Sequence, residues 1–444
     1  MTIFKRKLYE SMLSWKHNRQ GSTALLIMGA RRVGKTTLVQ EFARREYKSH
    51  IFIDFSQTSK EINELFEDMM DLNYFFFRLQ NIYGVQLFPR ESVIVFDEIQ
   101  FQPLARQAIK HLVKDGRYDY IETGSLISIR RNVKDILIPS EETRMTLYPM
   151  DLDEFYWALG NKVTPQQQLQ AYEMKRPMGQ AVHRKWMREL RLYMLVGGMP
   201  QAVDTYLRTN YLQEVDEIKR EILELYDNDF LKIDPTGRIS KLFAAIPAQL
   251  NTNASRYQVS SVIENQTAER LAQLISELEE SQTIILSHHV NDPGIGLEMF
   301  SDLYRYKMFL IDTGLFVTLA FRNKKFTENV IYQKLLSDKL EANLGYVYEN
   351  LIAQMMRTQG YHLYYHTFPS VSGNHKFEID FLFTRGNKLC PIEVKSSGYK
   401  SHKSLDAFCE KYSSRIGDKY ILYTKDFHKE GNTIYLPVYY TGLL

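Results

Sequence analysis

The stretch Gly29-Ala30-Arg31-Arg32-Val33-Gly34-Lys35-Thr36-Thr37 fits the pattern G-x-x-x-x-G-K-[ST]. It constrains the chain more than any other feature, because the pattern works only where a strand ends and a helix begins. Both flanks comply. Ala24-Leu25-Leu26-Ile27-Met28 is an apolar run of strand length, and Thr36, Thr37, Leu38, Val39, Phe42 and Ala43 follow with apolar residues at helical spacing. The glycines let the backbone curl so that its N–H groups point at phosphate oxygens. Lys35 is expected to reach the β- and γ-phosphates and Thr36 to offer its hydroxyl to Mg²⁺. The helix adds its positive N-terminal end. Residues 29–37 are thus the expected contacts of a nucleotide, with ATP and Mg²⁺ as the implied cofactors.

Two more strands belong to the same design. Ile51–Phe55 is one, and Val93-Ile94-Val95-Phe96-Asp97-Glu98 the other. Four consecutive apolar residues suit a strand buried on both faces, as in a parallel sheet wrapped by helices. The second strand ends in two acids, at the edge where open α/β sheets bind ligands. In this Walker B pattern Asp97 is expected in the Mg²⁺ shell, and Glu98 beside the attacking water. A further strand, Tyr120–Thr123, runs into Gly124-Ser125, where Thr123 or Ser125 is placed to sense the γ-phosphate. Arg130, Arg131 and Arg144 are candidates for a charge-neutralising finger in cis or trans. The expected fold class is α/β, with a P-loop NTPase parallel sheet over residues 1–150.

The 444 residues suggest about three domains, and 44% hydrophobic with 25% charged residues fits a globular chain. A net charge of +3 excludes a polybasic nucleic-acid coat but not a local binding patch. Cys390 and Cys409 have no CxxC or CxxH partner, so neither a zinc site nor a disulfide framework is expected. The charged N-terminus lacks an apolar segment behind it, and no apolar run nears the ~18 residues of a membrane span. The expectation is a cytoplasmic protein without a membrane partner.

Residues 151–233 read as a helical lid with a polar, Gln-rich break at Thr164–Gln170. Gly197-Gly198-Met199-Pro200 reads as a turn, since proline blocks continuation of a preceding helix. Residues 234–318 suit a winged helix-turn-helix. Ile239, Leu242, Phe243, Ile246 and Leu250 share one helical face, although Pro247 must bend or end that helix. Leu271, Leu274, Ile275 and Leu278 mark a second helix, and Thr283–Leu286 with Tyr304–Ile311 the wing. Arg270 and Gln273 can approach DNA, while Glu277, Glu279 and Glu280 repel phosphates. A structural role is therefore kept beside groove binding. His288-His289 reads as a surface pair on the wing.

Residues 330–444 hold a second constellation. Leu344, Val347, Leu351 and Met355 form one stripe of a helix that is apolar nearly all round, so the carboxylate of Glu349 needs a partner. Period two in Phe377–Phe383 sends Asp380 to the face opposite Ile379. In Ile392-Glu393-Val394-Lys395, Glu393 and Lys395 share a face. Gly386-Asn387 can turn the chain between these strands. In register, Asp380, Glu393 and Lys395 converge, and Glu349 completes the set from the helix. Asp380 and Glu393 would hold Mg²⁺ and Lys395 would orient a water, as in PD-(D/E)xK nucleases. A solvated network of paired strand charges explains the same spacing. Lys400, Lys403, Lys411, Arg415 and Lys419, interleaved with Tyr399, Tyr412 and Tyr420, read either as a phosphate-tracking surface or as an ordinary charged helix face.

Taken together the motifs resemble a group of bacterial and archaeal AAA-type P-loop ATPases. That group carries a C-terminal restriction-endonuclease-like, PD-(D/E)xK domain of formerly unknown function. The matching stretches are Gly29–Leu38, Phe96–Gln100, Thr123–Ser125, Leu147–Pro149 with Glu154-Phe155, Tyr193–Pro200, Lys307–Leu315, Glu349-Asn350 and Glu393–Lys395. They run in order along nearly the whole chain. The family's usual glycine before Arg144 is Thr143 here, and its Ser-Phe before Glu154 is Asp151-Leu152. The resemblance implies Gly198 and Pro200 near the nucleotide base. It also implies an ATPase coupled to a nuclease-like domain acting on DNA. A regulatory or scaffold ATPase, whose C-terminal domain only binds DNA or a protein, is the alternative. A finger in trans would require a homo-oligomer or partner protein.

Overall fold

Ala24–Met28 is buried along its whole length, and such a strand must sit inside a sheet covered on both faces. A computed structural model describes residues 2–67, 69–124, 140–252, 254–264, 266–337, 344–370 and 375–444. The chain forms two compact units, residues 1–148 with 280–282, and residues 149–279 with 283–444.

In the first unit, strands β1 (Ala24–Met28), β2 (Ser49–Asp54), β3 (Ser92–Asp97), β4 (Asp119–Gly124) and β5 (Glu142–Thr146) lie in the order β2-β3-β4-β1-β5. All pairings are parallel. β4 between β3 and β1 brings Thr123 into line between Asp97 and the loop after Met28. An aromatic core including Phe55, Phe66, Phe75, Phe76 and Phe96 fills one side of the sheet. β5 is an unforeseen strand. Its sequence Glu-Thr-Arg-Met-Thr has no apolar run, and its pairing with β1 comes from tertiary context.

The second unit begins with helices Leu152–Ala158, Val163–Met174, Gln180–Val196, Pro200–Thr209 and Leu212–Ile233. The expected break at 164–170 is helical instead. Asn161 caps that helix, its side-chain oxygen accepting from the N–H groups of Val163 and Thr164, and glutamine is a good helix former. Pro247 does not end its helix either. Arg238–Asn251 runs through it.

An eight-stranded sheet follows, built from β6 (Ile284–Val290), β7 (Ser301–Leu310), β8 (Leu363–Pro369), β9 (Lys376–Arg385), β10 (Lys388–Lys395), β11 (Lys419–Tyr423), β12 (His428–Glu430) and β13 (Thr433–Pro437). The order is β12-β13-β11-β10-β9-β8-β6-β7. The two strands expected as a wing do form an antiparallel hairpin. They are also the end of this larger sheet, because β6 pairs in parallel with β8. The expected boundary between 318 and 330 is therefore crossed by one continuous sheet. His289 is buried, its Nε2 accepting from the Thr367 N–H, its Nδ1 3.2 Å from Asn291 Oδ1 and its ring stacked on His366, so the histidine pair is not a surface pair. Helix Gly345–Thr358 packs with Val347, Tyr348, Leu351, Ile352, Met355 and Met356 buried. Its polar residues are satisfied across the core: the Asn350 side chain bonds the N–H and C=O of Leu310.

Candidate functional site

The loop between β1 and the helix Lys35–Glu46 has the backbone of a phosphate cradle. Arg32 and Gly34 take positive φ of 70° and 95°, and a side chain at Gly29 would run into the Leu147 carbonyl. Val33 is buried, and its carbonyl accepts from the guanidinium of Arg6 at 2.9 Å. Arg6 also reaches the Tyr148 carbonyl at 2.5 Å. Nothing in its local sequence signals this tie. Arg31 and Arg32 are exposed, Ala30 is buried, and Thr37 is half-buried. Lys35 is buried, and its ammonium donates to the carbonyls of Gly29 (2.9 Å) and Ala30 (3.1 Å). Burial lowers its pKa, against the opposing charges of Glu98 and Asp97. An ammonium satisfied by loop carbonyls sits beside the cradle, where a phosphate oxygen is a better partner.

Thr36, Asp97, Glu98 and Thr123 form one hydrogen-bonded group. The Thr36 hydroxyl is 3.1 and 3.0 Å from the two Asp97 oxygens. The Thr123 hydroxyl donates to Asp97 Oδ1 and accepts from the Glu98 N–H at 3.2 Å. Burial raises the pKa of Asp97, against both threonine hydroxyls. Glu98 holds a left-handed backbone, φ 54°, and its carboxylate accepts from the Gln100 amide. A hydroxyl and a carboxylate are the hard oxygen donors that suit Mg²⁺, so the residues fit that ion. Ser125, Arg130 and Arg131 lie outside the described residues. Arg144 pairs with Glu142 at 2.5 Å.

The described residues of the second unit hold the other constellation. β9 and β10 pair antiparallel with Ile392 opposite Phe381, joined by Gly386-Asn387 with Gly386 at φ 57°. Past that pair, the Asp380 carboxylate accepts from the Val394 N–H at 2.7 Å. Glu393 and Lys395 pair at 2.6 Å. The partner Glu349 needs is Lys307 on β7, 3.5 Å away, and Lys307 is closer still to Glu378, at 2.5 Å. Burial would lower the Lys307 pKa, but Glu349, Glu378 and Asp380 outweigh it and hold the ammonium charged. Burial raises Glu349 and, with the charge of Glu349 added, raises Asp380 well above the usual range. Among the described residues no group of three or more His, Cys, Asp and Glu side chains is arranged to hold a metal ion. The cluster as it stands does not fit a metal.

The basic surface is less available than its sequence suggested. Arg415 bonds Asp292 and the Pro293 carbonyl, Lys411 lies over the rings of Phe368 and Tyr412, and Tyr420 is buried. Gly198 and Pro200 have local duties. The Gly198 N–H donates to Asp312 at 2.6 Å, a side chain there would collide with the Met150 backbone, and Pro200 opens a helix.

Residues 21–156 match the family model of an AAA domain. These residues are an AAA-type domain. Residues 187–325 and 344–440 match two models each described as a domain of unknown function, DUF8612 and DUF4143. An uncharacterized protein of Methanocaldococcus jannaschii is 22% identical over 228 residues, 46% of this chain and 46% of that one. The chain thus spans less than half the length of this curated relative. Among solved structures, C. elegans PCH-2 is similar over 35% of this chain and 46% of that one, at 13% identity and a TM-score of 0.23. A signal transduction ATPase with a tetratricopeptide repeat sensor from Pyrococcus horikoshii is similar over 80% and 48%, at 12% identity and 0.29. Among the described residues, no helix is long and apolar enough to cross a membrane.

Proposed function

We propose that this protein binds ATP at residues 29–37, hydrolyses it with Asp97 and Glu98, and uses the cycle to govern its C-terminal domain. The observation that carries the reading is the Thr36–Asp97–Thr123 group, which ties the start of the helix after β1 to the ends of β3 and β4. Loop N–H groups and Lys35 bind and orient the β- and γ-phosphates, with Lys35 exchanging the carbonyls of Gly29 and Ala30 for phosphate oxygen. Thr36 and Asp97 would hold a Mg²⁺, which supplies neutralisation of phosphate charge. Glu98 orients the attacking water and takes its proton, held in place by Gln100 and by the bond from its own N–H to Thr123. Lys35→Ala should abolish ATP turnover. Unchanged turnover in that variant would reject the site.

For the C-terminal domain, the set Glu349, Asp380, Glu393 and Lys395 supports a nuclease-like reading on nucleic acid. Lys307, seated among the carboxylates, favours a second reading, in which the domain only binds DNA or a protein in response to nucleotide. Assays on single- and double-stranded DNA with Mg²⁺ or Mn²⁺, with and without ATP, separate them. Cleavage lost in Asp380→Ala supports the first, and cleavage retained in that variant sinks it. ATP-dependent binding with no cleavage under either metal supports the second.

A further inference from the structure

The mismatch between a nuclease-like carboxylate set and the lack of a formed metal site has a specific cause in Lys307. We propose that Lys307 is a built-in cation lock: its ammonium takes the place among Glu349, Glu378 and Asp380 that a divalent cation would fill, and the cluster admits such a cation only when Lys307 is withdrawn. This deepens the nuclease-like reading of the cluster and rests on it.

The geometry is that of a cation site occupied from within. Lys307 is buried on β7, 2.5 Å from Glu378 and 3.5 Å from Glu349, with its ammonium 5.6 Å from the centre of the Tyr365 ring. Nearby Arg305 is engaged elsewhere, donating to Thr367 at 2.5 Å. Lys395, the other lysine of the cluster, pairs with one oxygen of Glu393. The second oxygen of Glu393, itself 95% buried, has no hydrogen-bond partner among the described residues. So Glu349 and Glu378 share one ammonium, the charge of Asp380 also acts on it, and a buried carboxylate oxygen of Glu393 is left over. A buried carboxylate without a compensating cation is costly. A dication would supply two charges where Lys307 supplies one, which gives the exchange a driving force. Lys307 lies on β7, Glu378 and Asp380 on β9 and Glu349 on the helix Gly345–Thr358, so withdrawal of the one side chain would open the cluster without altering the carboxylates themselves.

The test is Mn²⁺ binding to the full chain without nucleotide, followed by electron paramagnetic resonance. Each protein is read against its own Asp380→Asn double variant, so that ions bound elsewhere cancel. Lys307→Gln should bind Mn²⁺ at least about tenfold more tightly than wild type, and Lys307→Arg should stay closed. Mn²⁺ should also raise the melting temperature of Lys307→Gln and leave wild type unmoved. Should Lys307→Gln fail to fold, Glu378→Gln removes the nearer anchor of the ammonium and carries the same comparison. Equal, Asp380-dependent affinity in wild type and variants would overturn the lock while leaving the metal cluster standing. No Asp380-dependent binding in any folded variant would overturn both.

Discussion

The hydroxyl of Thr36 lies 3.0 and 3.1 Å from the two carboxylate oxygens of Asp97, 61 residues away in sequence. The same carboxylate accepts from Thr123, whose oxygen in turn accepts from the Glu98 N–H. Thr123 is therefore the joint of the site. Thr123→Val keeps the shape and removes both bonds. Leaving a buried acceptor short costs about 1–3 kcal/mol, so steady-state ATP turnover should fall on the order of 10- to 100-fold. Thr123→Ser should keep most of it.

Arg106 carries a pH signature. It is buried between Glu122, at 2.5 Å, and Glu142. One arginine faces two carboxylates, and burial outweighs its attraction, pushing the Glu122 pKa up to about 7. An acid whose folded pKa lies above its unfolded value binds extra protons only when folded. Stability is thus lost as pH rises from the ordinary carboxylate range through about 7, by up to about 1.4 kcal/mol per pH unit. Urea unfolding between pH 5 and 8 should show that decline in wild type and a flatter profile in Glu122→Gln.

Close backbone approach around Gly198 makes a third prediction. Its carbonyl accepts from the Met150 N–H at 2.7 Å, and a Cβ would strike the Met150 backbone. Gly198→Ala should destabilise this region on the order of 3 kcal/mol. Hydrogen exchange at the Met150 amide should then lose protection.

The geometry of the candidate nucleotide site was legible because its pattern is local. Gly29–Thr37 must curl within nine residues, and Asp97 must end a strand, so both leave short patterns. The strands expected as a wing were legible as a hairpin but not as part of a larger sheet, since the pairing of β6 with β8, Ser287 with Leu363, joins distant stretches with no local mark. Lys307 was hidden for the same reason. Inside Lys307–Leu315 it reads as one charge in an apolar strand, and its nearer partner, Glu378, lies 71 residues away. Arg6 and Gln354 likewise act only at a distance, Gln354 accepting from Thr313 and donating to Tyr193.

ATP hydrolysis by Glu98 is the central claim, and turnover with binding measured on one preparation of Glu98→Gln tests it most directly. The amide keeps the size of the side chain but cannot take a proton. The variant should bind Mg²⁺-ATP as wild type does while steady-state turnover falls about 10²- to 10⁴-fold. Wild-type turnover in Glu98→Gln would contradict the account.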